Sequence, residues 1–178
     1  MLVGKIPMES PVRFWKVLAQ RDFGLFWVSL LVSAVGDQIS NVTIAWQVYE
    51  ITNSPFQLGL IGLFRALPLI VFSLTGGLLA DRWDRRRLLM VTQSLAMILA
   101  ALLGVLTQTG HVQVWHIYTI TFFAGAVNTF DLPARTAMIP NLVPREQLTT
   151  AFALNVTLRQ TATLVGPFLG GITLAVVG

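Results

Sequence analysis

Cysteine is absent from this chain of 178 residues, and charge is scarce, with only 11% of residues being Asp, Glu, Lys or Arg. Without cysteine there is neither a disulfide framework nor a thiolate metal site, and the redox compartment is not legible. An ordinary soluble domain carries roughly 25% charged residues. Here 54% of residues are hydrophobic and the mean hydropathy is +0.71. A chain of this size cannot hide so much apolar surface in one core, so the excess must face lipid. No phosphate-cradling glycine-rich loop occurs, which leaves an ATP-driven pump domain without support. Neither His-Glu-x-x-His nor Gly-x-Ser-x-Gly occurs, so an intramembrane hydrolase has little to stand on. No enzyme activity, cofactor or metal is therefore expected. His111 and His116 lie near a turn with no third ligand in view and read as interface histidines. The first apolar run starts after a basic tail and no small-residue cleavage site follows it, so no cleavable signal peptide is expected.

What is present is a series of long apolar runs. A membrane helix needs about 20 mostly apolar residues, and five segments meet that test: 25–49, 56–80, 88–108, 112–130 and 148–178. Between 88 and 130 there is no Asp, Glu, Lys or Arg, and Thr107-Gln108-Thr109-Gly110-His111 is the natural turn that splits this stretch in two. The net charge of +4 does not point to nucleic acid, because the cations sit where membrane topology puts them. Lys5, Arg13, Lys16 and Arg21 precede the first span. Arg82, Arg85, Arg86 and Arg87 lie between the second and third, and Arg135 and Arg145 between the fourth and fifth. The two remaining short loops, 50–55 and 109–111, carry none, so the positive-inside rule places the N-terminus in the cytoplasm. Residues 1–24 read as a cytoplasmic tail whose segment 10–23 forms an interfacial helix. Ser10 caps it, Pro11 sits in its first turn, and Phe14, Trp15 and Leu18 face lipid headgroups; a simple basic anchor explains the tail equally well. Residues 133–147 are expected at the surface, because Pro133, Pro140 and Pro144 break any long helix. Trp27, Trp46, Trp83 and Trp115 read as interface anchors.

Three ionisable residues fall inside the spans: Asp37, Arg65 and Arg159. Each sits roughly 13–18 Å from one end of its helix, near the bilayer midplane. A charge there costs at least about 2.5–3.5 kcal/mol on insertion scales, so it needs a partner or a watery cavity. A pathway for substrate or protons accounts for them, as does an inert salt bridge that fixes packing. Asp37 with one arginine leaves one positive charge over, which suits a carboxylate-bearing substrate. Asp37 is also the residue of the three able to release a proton when its surroundings alternate between wet and closed.

Two motifs carry a family resemblance. Between the second and third spans, Gly77 is followed by Asp81-Arg82 and then Arg85-Arg86, with a glycine pair at Gly76-Gly77. This resembles the signature loop of the major facilitator superfamily, with Asp84 standing where that pattern usually has glycine. In the fifth span, Gly166-Pro167-x-x-Gly170-Gly171 is similar to the end of the glycine-and-proline packing motif of exporters in that superfamily, with Ala153 and Ala162 at its upstream glycine positions. Gly36-Asp37, Arg65-Ala66-Leu67-Pro68, Pro133-Ala134-Arg135 and Arg145-Glu146 resemble the enterobactin-exporter-like group.

The resemblance implies an all-α membrane protein, the N-terminal part of a major facilitator fold, with residues 25–178 forming helices one to five of a half-bundle. It implies secondary-active export of a siderophore, drug or similar small molecule, with protons as the coupling ion, the lipid bilayer as surroundings and no nucleic-acid partner. It further implies that Asp81, Arg85 and Asp131, with Gly77, Arg82 and Arg86 around them, form a cytoplasmic charge latch. The span-four arginine of many superfamily exporters is not matched, since that span has no charge before Asp131. Such proteins have about twelve helices in two halves, so these residues alone form no complete path and need the remaining transporter helices. The competing expectation is a truncated, non-transporting membrane scaffold.

Overall fold

The computed structural model describes residues 14–80 and 84–177, with side chains described for 14–72 and 84–176. Among these residues, five long helices follow a short one. The short helix is α1 (Phe14–Leu18). The long ones are α2 (Arg21–Thr52), α3 (Pro55–Ala80), α4 (Arg85–Gln108), α5 (Val114–Leu142) and α6 (Leu148–Val177), with a 3-10 turn over Arg145–Gln147 before the last. The long helices have 24 to 32 residues, hence about 36–48 Å of length, enough for a hydrocarbon core of about 30 Å. Among the described residues, α2, the Pro55–Phe72 part of α3, and α4 are both long and apolar enough to cross a membrane. α5 and α6 match them in length, with 29 and 30 residues.

The turns lie where the sequence breaks. α2 ends on Asn53 in the left-handed conformation, its N–H donating to the Tyr49 carbonyl, and Gly110 takes φ 70° after α4. Asp84 is the N-cap of α4 and accepts from the Arg87 N–H at 3.0 Å. This gives a reason for an acid where the superfamily pattern has glycine, since a capping carboxylate stabilises a helix start by about 1 kcal/mol. α5 starts with a reciprocal box in which the Gln113 N–H donates to His116 Nδ1.

Two expectations need correction. The fourth long helix does not stop near 130. It runs on to Leu142 with Pro133 and Pro140 inside it. Each proline removes one N–H and crowds the preceding turn, but helices packed alongside hold the segment in place, as membrane bundles allow. α5 packs along both α3 and α4, and Ala134 and Ile139 are buried in that stretch. Arg135 is accordingly a helical residue and not a loop cation. The interfacial helix is likewise shorter than 10–23. Among the described residues Phe14–Leu18 is a separate helix and α2 already begins at Arg21, while Ser10 and Pro11 lie outside the described residues. Phe14 and Trp15 are exposed, whereas Val17 is fully buried and Leu18 packs beside it.

The packing pairs α2 with α6 and α3 with α5, and α4 lies along α5. A small apolar core of Val17, Phe23, Ile139, Val143 and Ala151 ties α1 to the adjoining ends of α2, α5 and α6. Elsewhere large apolar side chains point outward, Leu164 and Met97 being 77% and 69% exposed. In water such a surface would drive aggregation, and in a bilayer it is the ordinary outer face. Trp27 is no simple interface anchor, because its indole N–H donates to the Leu154 carbonyl at 3.1 Å and links α2 to α6.

Candidate functional site

Close helix approach comes first, because it aligns the polar residues. Gly166 of α6 abuts Gln38 and the Val35 carbonyl of α2, and one turn on Gly170 faces Val42 and Ile39. A side chain at either position would push the helices apart. Pro167 lies inside α6, and a Cβ on Gly171 would meet nothing within 4 Å. On the other side, a Cβ on Gly125 of α5 would lie 2.8 Å from the Arg65 carbonyl and 3.2 Å from Pro68. Phe64 stacks on Tyr118 at 4.7 Å, and the Tyr118 hydroxyl donates to the Gln57 carbonyl. These contacts bring Asp37 and Arg65 to a common interior space.

That space is a cavity of about 550 Å³ between α2, α3, α5 and α6, lined by Asp37, Arg65, Asp131, Arg135 and Arg159 together with amides including Asn128 and Asn155. A second cavity of about 400 Å³ opens between α2, α4 and α5 and shares Asp37, Arg65, Asp131 and Arg135 with the first. The charged cluster therefore stands between two cavities. All three ionisable residues expected inside the spans meet at the first.

The cluster has internal order. Arg65 donates to Asn41 Oδ1 at 2.8 Å, and Asn41 in turn donates to Gln38 Oε1 at 2.8 Å. Asp131 forms an ion pair with Arg135 one turn further along α5, and both side chains are almost fully buried. Asp131 also accepts from Thr92 at 2.8 Å and Gln93 at 3.2 Å on α4. Ser33 of α2 donates to Gln93 Oε1 at 3.2 Å and accepts from Arg135 at 3.4 Å. Asp131, Arg135, Ser33 and Gln93 thus close a ring across three helices, and in a low-dielectric interior such a network couples the positions of its members.

Sequence reasoning missed Arg135, Gln93, Ser33 and Thr92. The available signal was the i, i+4 spacing of Asp131 and Arg135, which only has meaning on a helix. For the same reason the span-four helix does carry an arginine, placed after the acid instead of before it. Asp131 stands about three turns before the end of α5, with Arg135 as its ion-pair partner. Arg85 instead donates to the Ala137 carbonyl at 2.9 Å, near that helix end. Arg86 is exposed. Asp81 and Arg82 lie outside the described residues, as do any side-chain contacts of the segment around Gly77.

The family model described as transmembrane secretion effector matches residues 13–178. The chain is 26% identical over 152 residues to the staphyloferrin A transporter of Staphylococcus aureus, covering 85% of this chain and 38% of that protein. It is 26% identical over 162 residues to macrolide efflux protein A of Streptococcus pyogenes, covering 91% of this chain and 39% of that one. It is also 26% identical over 153 residues to the enterobactin exporter EntS of Salmonella choleraesuis, covering 86% and 37%. The chain thus spans about two fifths of the length of these curated relatives. No solved structure matches. With five long helices, lipid-suited outer faces and a family match over nearly the whole chain, this is a multi-pass membrane protein that belongs to the transmembrane secretion effector family of the major facilitator superfamily.

Proposed function

We propose that this chain supplies the first helices of a secondary-active exporter, which moves an amphipathic small molecule across the cell membrane by alternating access. The observation that carries the reading is the cavity of about 550 Å³ lined by Asp37, Arg65, Asp131, Arg135 and Arg159 inside a bundle with apolar outer faces. Its size suits a small-molecule site, and intramembrane ionisable residues mark substrate and ion pathways. The relatives support the reading in kind, being named for the transport or efflux of siderophores and a macrolide.

In this reading Asp37 carries the proton, with Arg65 and Arg159 contacting substrate or tuning the acid. The N-terminus is cytoplasmic, in line with the Lys and Arg distribution. Arg85 joins the signature loop to the end of α5 through the Ala137 carbonyl, and Asp81, Arg82 and Arg86 complete a cytoplasmic latch whose opening accompanies the transport cycle. Gly166 and Gly170 set the spacing of α6 on α2.

The test is uptake into inside-out vesicles carrying the full-length gene product and energised with a proton gradient, using a labelled macrolide and a labelled siderophore. Gradient-dependent uptake of either, lost in Asp37→Asn, supports an exporter. Uptake no greater than in control vesicles for both probes contradicts it and leaves a scaffold as the better account.

A further inference from the structure

Charge bookkeeping around the cavity narrows the substrate. Two carboxylates, Asp37 and Asp131, face three guanidinium groups, Arg65, Arg135 and Arg159. Asp131 is committed to Arg135 by a buried ion pair. Asp37 makes no ion pair among the described residues, which leaves one negative charge against the two remaining guanidinium groups, Arg65 and Arg159. Among the described residues Arg159 makes no ion pair. Its side chain nonetheless lines the cavity, one turn from Asn155 on α6. The other polar lining groups include Gln38, Asn41 and Asn128, neutral amides that donate to oxygen atoms without cancelling a positive charge. A cavity in a membrane protein that holds one unbalanced cation favours an anion, because charge-assisted hydrogen bonds to a guanidinium are the strong ones.

We infer that the cavity binds an anionic, oxygen-rich small molecule through a carboxylate or similar acidic group placed on Arg159, with Arg65 and the amides also lining it. This rests on the exporter reading and names its substrate class. A cationic amphiphile meets the opposite condition, since it adds charge to a cavity already positive.

The experiment uses the full-length protein in lipid nanodiscs and two probes that share one fluorophore: dansylglycine, which carries a carboxylate, and dansylethylenediamine, which carries an ammonium. Dansylglycine should bind at least about tenfold more tightly, and Arg159→Gln should remove about tenfold of that affinity, the loss expected for one charge-assisted hydrogen bond. Arg159→Lys keeps the charge and should retain part of the preference. Thermal melting of each variant shows whether the fold is kept. Tighter binding of the ammonium probe overturns the inference. So does an Arg159→Gln protein that binds dansylglycine unchanged, since Arg159 then serves packing or pairs elsewhere in the full protein. Gradient-driven macrolide uptake separates the two levels. If it persists while the anion preference is absent, export stands and the substrate class falls.

Discussion

Asp131 and Arg135 stand one turn apart on α5 and close a buried ion pair that Thr92 and Gln93 of α4 complete from the side. A pair of this kind is costly to break from one side, because the remaining charge keeps its burial and loses its partner. Removing one member of a buried pair typically destabilises by about 3–5 kcal/mol, while replacing both is often close to neutral. Asp131→Ala should therefore lower the unfolding midpoint of the purified full-length protein far more than the double variant Asp131→Ala, Arg135→Ala. Additive losses measured by thermal unfolding in detergent would mean that the two side chains are not coupled.

The helix contacts at glycine predict a contrast along one helix. Gly166→Ala drives a Cβ into Gln38, while Gly171→Ala meets open space. Overpacking of this sort costs about 1–3 kcal/mol, whereas alanine in an open helical position is neutral or mildly favourable. Gly170→Ala, with Val42 at 3.2 Å, should fall between the two. Unfolding by titrated denaturing detergent ranks the three, and a Gly171→Ala loss equal to that of Gly166→Ala would refute the packing.

Gly125→Ala should disturb the site and the fold together. The added Cβ would lie 2.8 Å from the Arg65 carbonyl, so α3 must shift and carry the Arg65 guanidinium off Asn41. Binding of dansylglycine should weaken along with thermal stability. A variant as stable and as competent as the parent would show that α3 and α5 are not held this closely.

Orientation is open to a direct chemical test, since these 178 residues contain no cysteine and each single replacement adds one reactive thiol to them, any cysteine elsewhere in the full-length protein being replaced first. Ser54→Cys and Thr109→Cys should react with a membrane-impermeant maleimide in intact cells. Glu146→Cys should react only after permeabilisation. The reverse pattern would invert the topology.

Much of the fold was legible because apolar runs and polar turns report directly on a bilayer. Asn53 and Gly110, at the left-handed turns, mark two helix ends that the hydropathy pattern also indicates. The end of α5 was not legible. Pro133 and Pro140 read locally as breakers, and only the packing of α3 and α4 along α5 explains why the helix continues. That single boundary concealed Arg135 and its pairing with Asp131. Asp37, Arg65 and Arg159 stood out as charges in apolar runs, and the structure brings them to one cavity. Arg135 looked like a loop cation, and Ser33, Thr92 and Gln93 look like ordinary polar residues until three helices are placed side by side. The role of Asp84 as a helix cap was equally hidden, because it depends on where α4 begins.

In the proposed reading the charged cluster that lines the cavity, Asp37, Arg65, Asp131, Arg135 and Arg159, is the working site of a transporter. Its most direct test is gradient-driven uptake by the full-length protein in inside-out vesicles, compared between the parent and Asp37→Asn at equal membrane abundance. The account predicts uptake in the parent and a fall to the level of control vesicles in the variant, with dansylglycine binding retained. Equal uptake in the two proteins would contradict it, since the one unpaired carboxylate of the cavity would then have no part in transport.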